Sequence, residues 1–138
     1  MKNAITVDAS VFVNAFSPEE EGSDESMGFL TRLSKEQIPL MQPTLFLPEV
    51  TASIARKQDD MDAALELERE LKNFLEITLI DLDEDLADFS SEIAAKHRLR
   101  GSDAIYAAVA LRFGTELITL DREQLERLPK ILNARKPE

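Results

Sequence analysis

Four short β-prone apolar runs, none longer than four residues, are set apart by stretches whose apolar residues recur at helical spacing. The runs are Ile5-Thr6-Val7, Ile38–Met41, Ile77–Ile80 and Leu117–Leu120. Runs this short and this apolar, each followed by helical periodicity, predict βαβ units and a parallel sheet with helices on both faces. The helical segments read as Val11–Phe16, Met27–Glu36, Thr44–Lys57, Asp59–Leu75, Asp83 to about Arg98, Asp103–Phe113 and Arg122–Arg127. Pro48 falls in a first turn, where a missing N–H costs nothing. Asp83 is a natural N-cap, and so is Ser102. Gly101 suits the end of one helix and Gly114 the end of the next. Ser17–Ser26, with Pro18, the run Glu19-Glu20-Glu21 and Gly22, reads as a loop, and Lys130-Ile131-Leu132 as a last short strand. The expected organisation is one domain over residues 1–138, with a tail from about residue 132 that frays.

Composition narrows the chemistry. The chain has no cysteine, which excludes disulfides, thiolate zinc sites, iron–sulfur clusters and a cysteine nucleophile. His97 is the only imidazole, so no mechanism needing two histidines is open. The longest apolar run, Ala104–Leu111, has eight residues, against the ~20 needed to span a bilayer. The N-terminal residues lack an apolar signal core, so the expectation is a cytoplasmic protein with no membrane partner. Any chemistry falls to carboxylates, hydroxyls and amides, and a hard metal ion suits them.

Ligands of open α/β sheets gather at the carboxyl ends of the strands. Asp8 directly follows the first strand and Asp121 the last of the four runs. Glu49 and Asp103 fall in the first turns of predicted helices, which start near that same edge. These four acids, spaced 41, 54 and 18 residues apart, can converge. Two like charges 4 Å apart cost about 4 kcal/mol at an effective dielectric of ~20, and a divalent cation offsets that. All-oxygen sites suit Mg2+, Mn2+ or Ca2+. Taken alone, each acid is better accounted for by a helix N-terminus, where a carboxylate gains about 0.3–1 kcal/mol.

The surrounding segments add a resemblance. Ile5-Thr6-Val7-Asp8-Ala9-Ser10-Val11-Phe12, Leu47-Pro48-Glu49-Val50, Leu99–Ala110 (containing Gly101-Ser102-Asp103-Ala104-Ile105-Tyr106) and Leu117-Ile118-Thr119-Leu120-Asp121 together resemble the PIN-domain family, in order and spacing, over about residues 4–132. They look most like the small VapC-type toxins of prokaryotic toxin–antitoxin pairs. The resemblance implies a three-layer α/β/α fold with a central parallel sheet, and an Mg2+- or Mn2+-dependent endoribonuclease. It assigns catalysis and metal binding to Asp8, Glu49, Asp103 and Asp121, with Ser10 in support. It also implies a homodimer and a small antitoxin partner. In the implied reaction a metal-bound water attacks the RNA phosphate in line and the 3′ oxygen leaves, giving a 5′-phosphate and a 3′-hydroxyl. A route through the 2′-hydroxyl commonly uses histidines as acid and base, and fits a chain with one histidine poorly.

The net charge of −11 is wrong for generic nucleic-acid binding, so local cations must steer RNA. Lys96, His97, Arg98 and Arg100 precede Asp103, and Arg122 follows Asp121. Arg98, Arg100 and Arg122 are the candidates for holding flanking phosphates; as plain surface charges they would complement helix ends. The acidic runs Glu19-Glu20-Glu21 and Asp81–Asp85 read as solvated loops and caps, or as a docking face for a basic segment. Met27, Phe29, Leu30 and the Met61–Leu75 stripe read as core, with part of the stripe open to a partner helix.

Two other aspartate chemistries are disfavoured. A phosphatase with an aspartate nucleophile wants a second aspartate two residues on, where this chain has Ser10, and a phosphoacceptor receiver wants paired acids after its first strand and a lysine after its last. A PIN-like binding module without catalysis, and a nuclease not confined to RNA, remain as alternatives. The acids alone do not tell RNA from DNA, which is a matter of contacts to the 2′-hydroxyl.

Overall fold

The computed structural model describes residues 3–138. Its centre is a five-stranded sheet of β1 (Ile5–Val7), β2 (Leu40–Pro43), β3 (Ile77–Ile80), β4 (Glu116–Ile118) and β5 (Ala134–Arg135). The strand order is β3-β2-β1-β4-β5, and every pairing is parallel. Helices α1 (Ala9–Ala15), α2 (Ser23–Lys35), α3 (Phe46–Gln58), α4 (Met61–Phe74), α5 (Glu84–His97), α6 (Gly101–Phe113) and α7 (Arg122–Arg127) flank it. Helix α1 packs on α2 and α3, α3 on α4, and α5 on α6. This is the expected α/β/α arrangement. The order of the sheet reverses direction at β1, so β1, β2 and β4 end side by side, and the chain segments leaving these three strands meet there.

The core follows from composition. Helix α6 is apolar nearly all round, and Ala104 and the run Tyr106–Ala110 are buried to within 1%. A helix with no polar face belongs in the interior. It lies against β1, β2 and β4. Elsewhere Phe12 of α1 meets Phe46 of α3 with ring centroids 5.2 Å apart and planes tilted by 48°, an arrangement aromatic pairs favour.

The β1–β2 seam is incomplete. The ladder pairs only Ile5 with Leu40, and side chains close the remainder. The Val7 N–H donates to Gln42 Oε1 at 2.7 Å, Gln42 Nε2 donates to the Val7 carbonyl at 2.8 Å, and Thr6 Oγ1 donates to the Met41 carbonyl at 2.8 Å. Gln42 is fully buried, and its amide completes what the backbone leaves open.

Several boundaries differ from the sequence expectation. Helix α2 starts at Ser23 rather than Met27: Gly22 turns the chain at φ 83°, and Asp24 and Glu25 sit in the first turn, where the helix dipole favours acids. Asn14 organises the turn before it, donating to the Glu21 carbonyl at 3.0 Å and accepting from Ser26 Oγ at 2.7 Å. Strand β2 runs two residues later than expected and β4 begins one earlier. Helix α5 has Asp83 as its N-cap, accepting from the Leu86 N–H at 2.8 Å, but ends at the left-handed Arg98, not at Gly101. Gly101 instead opens α6, with Arg100 rather than Ser102 at the N-cap position. The last strand is Ala134–Arg135, not Lys130–Leu132, so the tail expected to fray is held in the sheet. The Leu117 N–H donates to the Asn133 carbonyl and the Thr119 N–H to the Arg135 carbonyl, each at 2.9 Å. Among the described residues no helix is long and apolar enough to cross a membrane.

Candidate active site

Asp8, Ser10, Glu49, Asp103 and Asp121 line one cavity of about 540 Å3 at the carboxyl ends of β1, β2 and β4. Asp8 leaves β1 and caps α1, its Oδ2 accepting from the Ser10 N–H at 3.0 Å. Asp121 caps α7, its Oδ1 accepting from the Gln124 N–H at 2.9 Å. Glu49 and Asp103 stand in the first turns of α3 and α6. Capping and convergence are therefore not rivals: a helix start at the sheet edge both stabilises an acid and aims it at the crevice.

Burial makes this cluster electrostatically unfavourable. Asp8 and Asp103 are 5% and 6% exposed. Burial pushes the Asp8 carboxyl above its usual range, against hydrogen bonds from Ser10 and Gln124, and the charge on Asp121 adds to the rise. Burial likewise pushes Asp103 up to about 6, with Asp121 and Asp8 contributing and Arg100 opposing. Glu49 is raised by burial and by the charges of Asp8 and Asp103, and is lowered by its hydrogen bond from Tyr106. Grouped carboxylates with raised pKa values, in a crevice, mark a candidate site on physical grounds.

The groups between the acids fix their positions. Gln124, fully buried, donates from Nε2 to Asp8 Oδ1 at 3.3 Å and to the Asp103 carbonyl at 3.4 Å. Its Oε1 accepts from Thr119 Oγ1 at 2.5 Å, and Thr119 Oγ1 in turn accepts from the Asp121 N–H at 3.0 Å. Ser10 Oγ accepts from the Leu120 N–H at 3.1 Å, tying α1 to the end of β4. The Tyr106 hydroxyl donates to Glu49 Oε1 at 2.7 Å.

Of the basic residues singled out, only Arg100 reaches the cavity. Its Nε donates to Asp103 Oδ2 at 2.9 Å and its Nη2 to Asp121 Oδ2 at 2.5 Å. Arg98 and Arg122 are exposed outside the cavity lining; the Arg98 carbonyl accepts from the Arg127 guanidinium. Lys96 and His97 lie in the last turn of α5, also away from the lining.

Sequence reasoning missed Gln124, Thr119, Tyr106 and Arg56. Arg56 lines the cavity two turns along α3 from Glu49, and makes no ion pair among the described residues. Faint signals exist for each. Asp121 followed three residues on by Gln124 resembles a capping box; Tyr106 lies three residues from Asp103, on one helix face; Arg56 lies seven from Glu49.

Hard carboxylate oxygens, converging and partly buried, are the donor set a divalent cation takes. Among the described residues, however, no group of three or more acids stands, with side chains as placed, where it could hold one ion. Arg100 lies across two of the four instead.

A family model of the PIN domain matches residues 5–131, and the chain belongs to that family, a family of nucleases that use divalent metal ions. Solved structures share the fold. A toxin–antitoxin complex from Klebsiella pneumoniae matches with a TM-score of 0.68 at 19% identity, covering 97% of this chain and 98% of that one. VapC20 of Mycobacterium tuberculosis, a toxin that cleaves the sarcin–ricin loop, matches with a TM-score of 0.69 at 18% identity, covering 86% and 90%. A DNA-bound VapBC from Salmonella typhimurium matches with a TM-score of 0.70 at 18% identity, covering 98% of each chain. No curated protein sequence matches the chain.

Proposed function

We propose that the protein is a VapC-type toxin: a single-domain, cytoplasmic, Mg2+- or Mn2+-dependent endoribonuclease kept in check by a small antitoxin. The observation that carries this reading is the convergence of Asp8, Glu49, Asp103 and Asp121 on one cavity, three of them with raised carboxyl pKa values. One guanidinium, that of Arg100, does not balance four carboxylates, and a divalent cation would offset the rest of their repulsion.

These four acids would hold the metal ion, which supplies a water of lowered pKa and charge for the phosphoryl transition state. The chain's own groups set the stage. Gln124 and Ser10 orient Asp8, Thr119 fixes the turn into Asp121, and Tyr106 aims Glu49. Arg56, on the lining, and Arg100, once free of the acids, would hold phosphates beside the scissile bond, and Arg98 and Arg122, outside the lining, would meet phosphates further off.

A partner is supported by apolar surface. Phe16, Met27, Leu30, Leu67, Leu71 and Phe74 line a groove of about 300 Å3 involving α2 and α4. Phe74 and Met61 are 67% and 68% exposed, so the α4 stripe is core on one side and open on the other. Large exposed apolar side chains beside such a groove are what an amphipathic antitoxin helix buries. Homodimerisation belongs to the same reading and is checked by light scattering.

The decisive experiment is cleavage of a cellular RNA pool by purified protein in Mg2+, in Mn2+ and in chelator, with single-stranded DNA alongside and Asp103→Asn as control. Metal-dependent cuts in RNA alone, absent from Asp103→Asn, are expected. Cuts in DNA as well would make it a broader nuclease. Metal binding without any cleavage would favour a silent binding module.

A further inference from the structure

Neither Arg100 contact to the acids comes from packing. The residue occupies the N-cap position of α6 in extended backbone, and its side chain is 66% exposed. What holds the guanidinium is a pair of carboxylates far apart in sequence, Asp103 three residues on and Asp121 twenty-one residues on. Each gives its Oδ2, and the contact to Asp103 has a charge-assisted length. The same oxygens are what a metal ion would take from these two residues. A guanidinium is always charged, so it cannot let go by losing its own proton; where the carboxylates are ionised, a competing cation is what displaces it.

We infer that Arg100 is an internal counter-cation of the acid cluster, which a divalent ion must displace from Asp103 and Asp121 in order to bind. This rests on the metal-dependent reading of the site and adds a gate to it. It accounts for two observations together: four acids share one cavity, yet no three of the described carboxylates stand ready to hold an ion. While Arg100 spans Asp103 and Asp121, those side chains are turned to the guanidinium fork. When an ion arrives, charge repulsion drives the arginine outward. Its 66% exposure gives it room to swing out to solvent. The metal-free cluster is thereby partly compensated, and its affinity for the ion is set below what four carboxylates alone would give.

The test is Mn2+ titration by calorimetry of the full chain and of Arg100→Gln and Arg100→Lys, with no RNA, beside thermal unfolding in chelator and in saturating Mn2+. Arg100→Gln is expected to bind Mn2+ about tenfold more tightly than the unaltered chain, since the ion no longer competes with a charge-assisted pair. Arg100→Lys, a cation without the fork, is expected to fall between them. In chelator Arg100→Gln should melt at lower temperature than the unaltered chain, and the gap should close in saturating Mn2+. Equal or weaker Mn2+ binding by Arg100→Gln overturns the inference and leaves the nuclease reading standing. Failure of every variant to bind Mn2+ overturns both.

Discussion

Gln42 and Val7 exchange two hydrogen bonds, N–H to Oε1 at 2.7 Å and Nε2–H to carbonyl at 2.8 Å, so that a side-chain amide stands in for a strand's peptide group. The substitution lies one residue before Asp8. The strand that delivers the first acid is thus anchored by a side chain where the β1–β2 ladder has stopped.

Replacing Gln42 with Leu keeps the volume and strands both Val7 groups in the core. The expected cost is about 2–4 kcal/mol, the sum of a lost pair of hydrogen bonds and the burial of unpaired groups. Urea denaturation at unchanged slope measures it.

Gln124→Met removes the donor shared by Asp8 and the Asp103 carbonyl and the acceptor for Thr119. A loss of about 1–3 kcal/mol is expected. Gln124→Glu, which sets a fifth carboxylate against Asp8, should be worse than Gln124→Met. That ordering in denaturation midpoints checks whether charge, rather than fit, governs the position.

Tyr106→Phe removes the hydroxyl that donates to Glu49. That bond favours the ionised carboxyl, so Glu49, already raised by burial, should titrate at still higher pH. Carboxyl-carbon NMR titration reads the shift. Stability should fall by about 1 kcal/mol.

Stability of the metal-free protein should decline with rising pH in the acid range. Asp103 has an ordinary carboxyl value of 3.8 unfolded and about 6 folded, so between them the folded chain holds more protons than the unfolded one. By linkage, stability then falls as pH rises through that window and levels off above it. The burial-raised Asp8 and Glu49 act in the same direction. Melting temperatures in chelator from pH 4 to 7 test this, and Asp103→Asn should flatten the slope.

Much of the architecture was legible because short apolar runs bounded by helical periodicity leave few alternatives; β1 and β3 were read to the residue. Strand β5 was not legible, since Asn133–Lys136 carries no apolar run and two residues are too few to show alternation. The start of α2 was hidden for a related reason: Glu19–Glu25 has a loop's composition, yet Asp24 and Glu25 are what a helix N-terminus favours. At the cavity, the four acids stood out because strand ends and helix starts are positions with a known direction. Gln124 and Arg56 did not, because an amide or a cation inside a helix is unremarkable until the helix is placed.

The order of the sheet also fixes when the cavity can exist. β1 and β4 are neighbours, with Asp8 after one and Asp121 a few residues beyond the other, yet more than a hundred residues of chain separate them. A ribosome that has synthesised only as far as Phe113 holds a nascent chain with three of the four acids, no β4 beside β1, and no Gln124 to steady Asp8. Completion of the cavity is therefore tied to late translation: a product that stops short of β4 lacks Asp121 and the pairing that sets β4 beside β1.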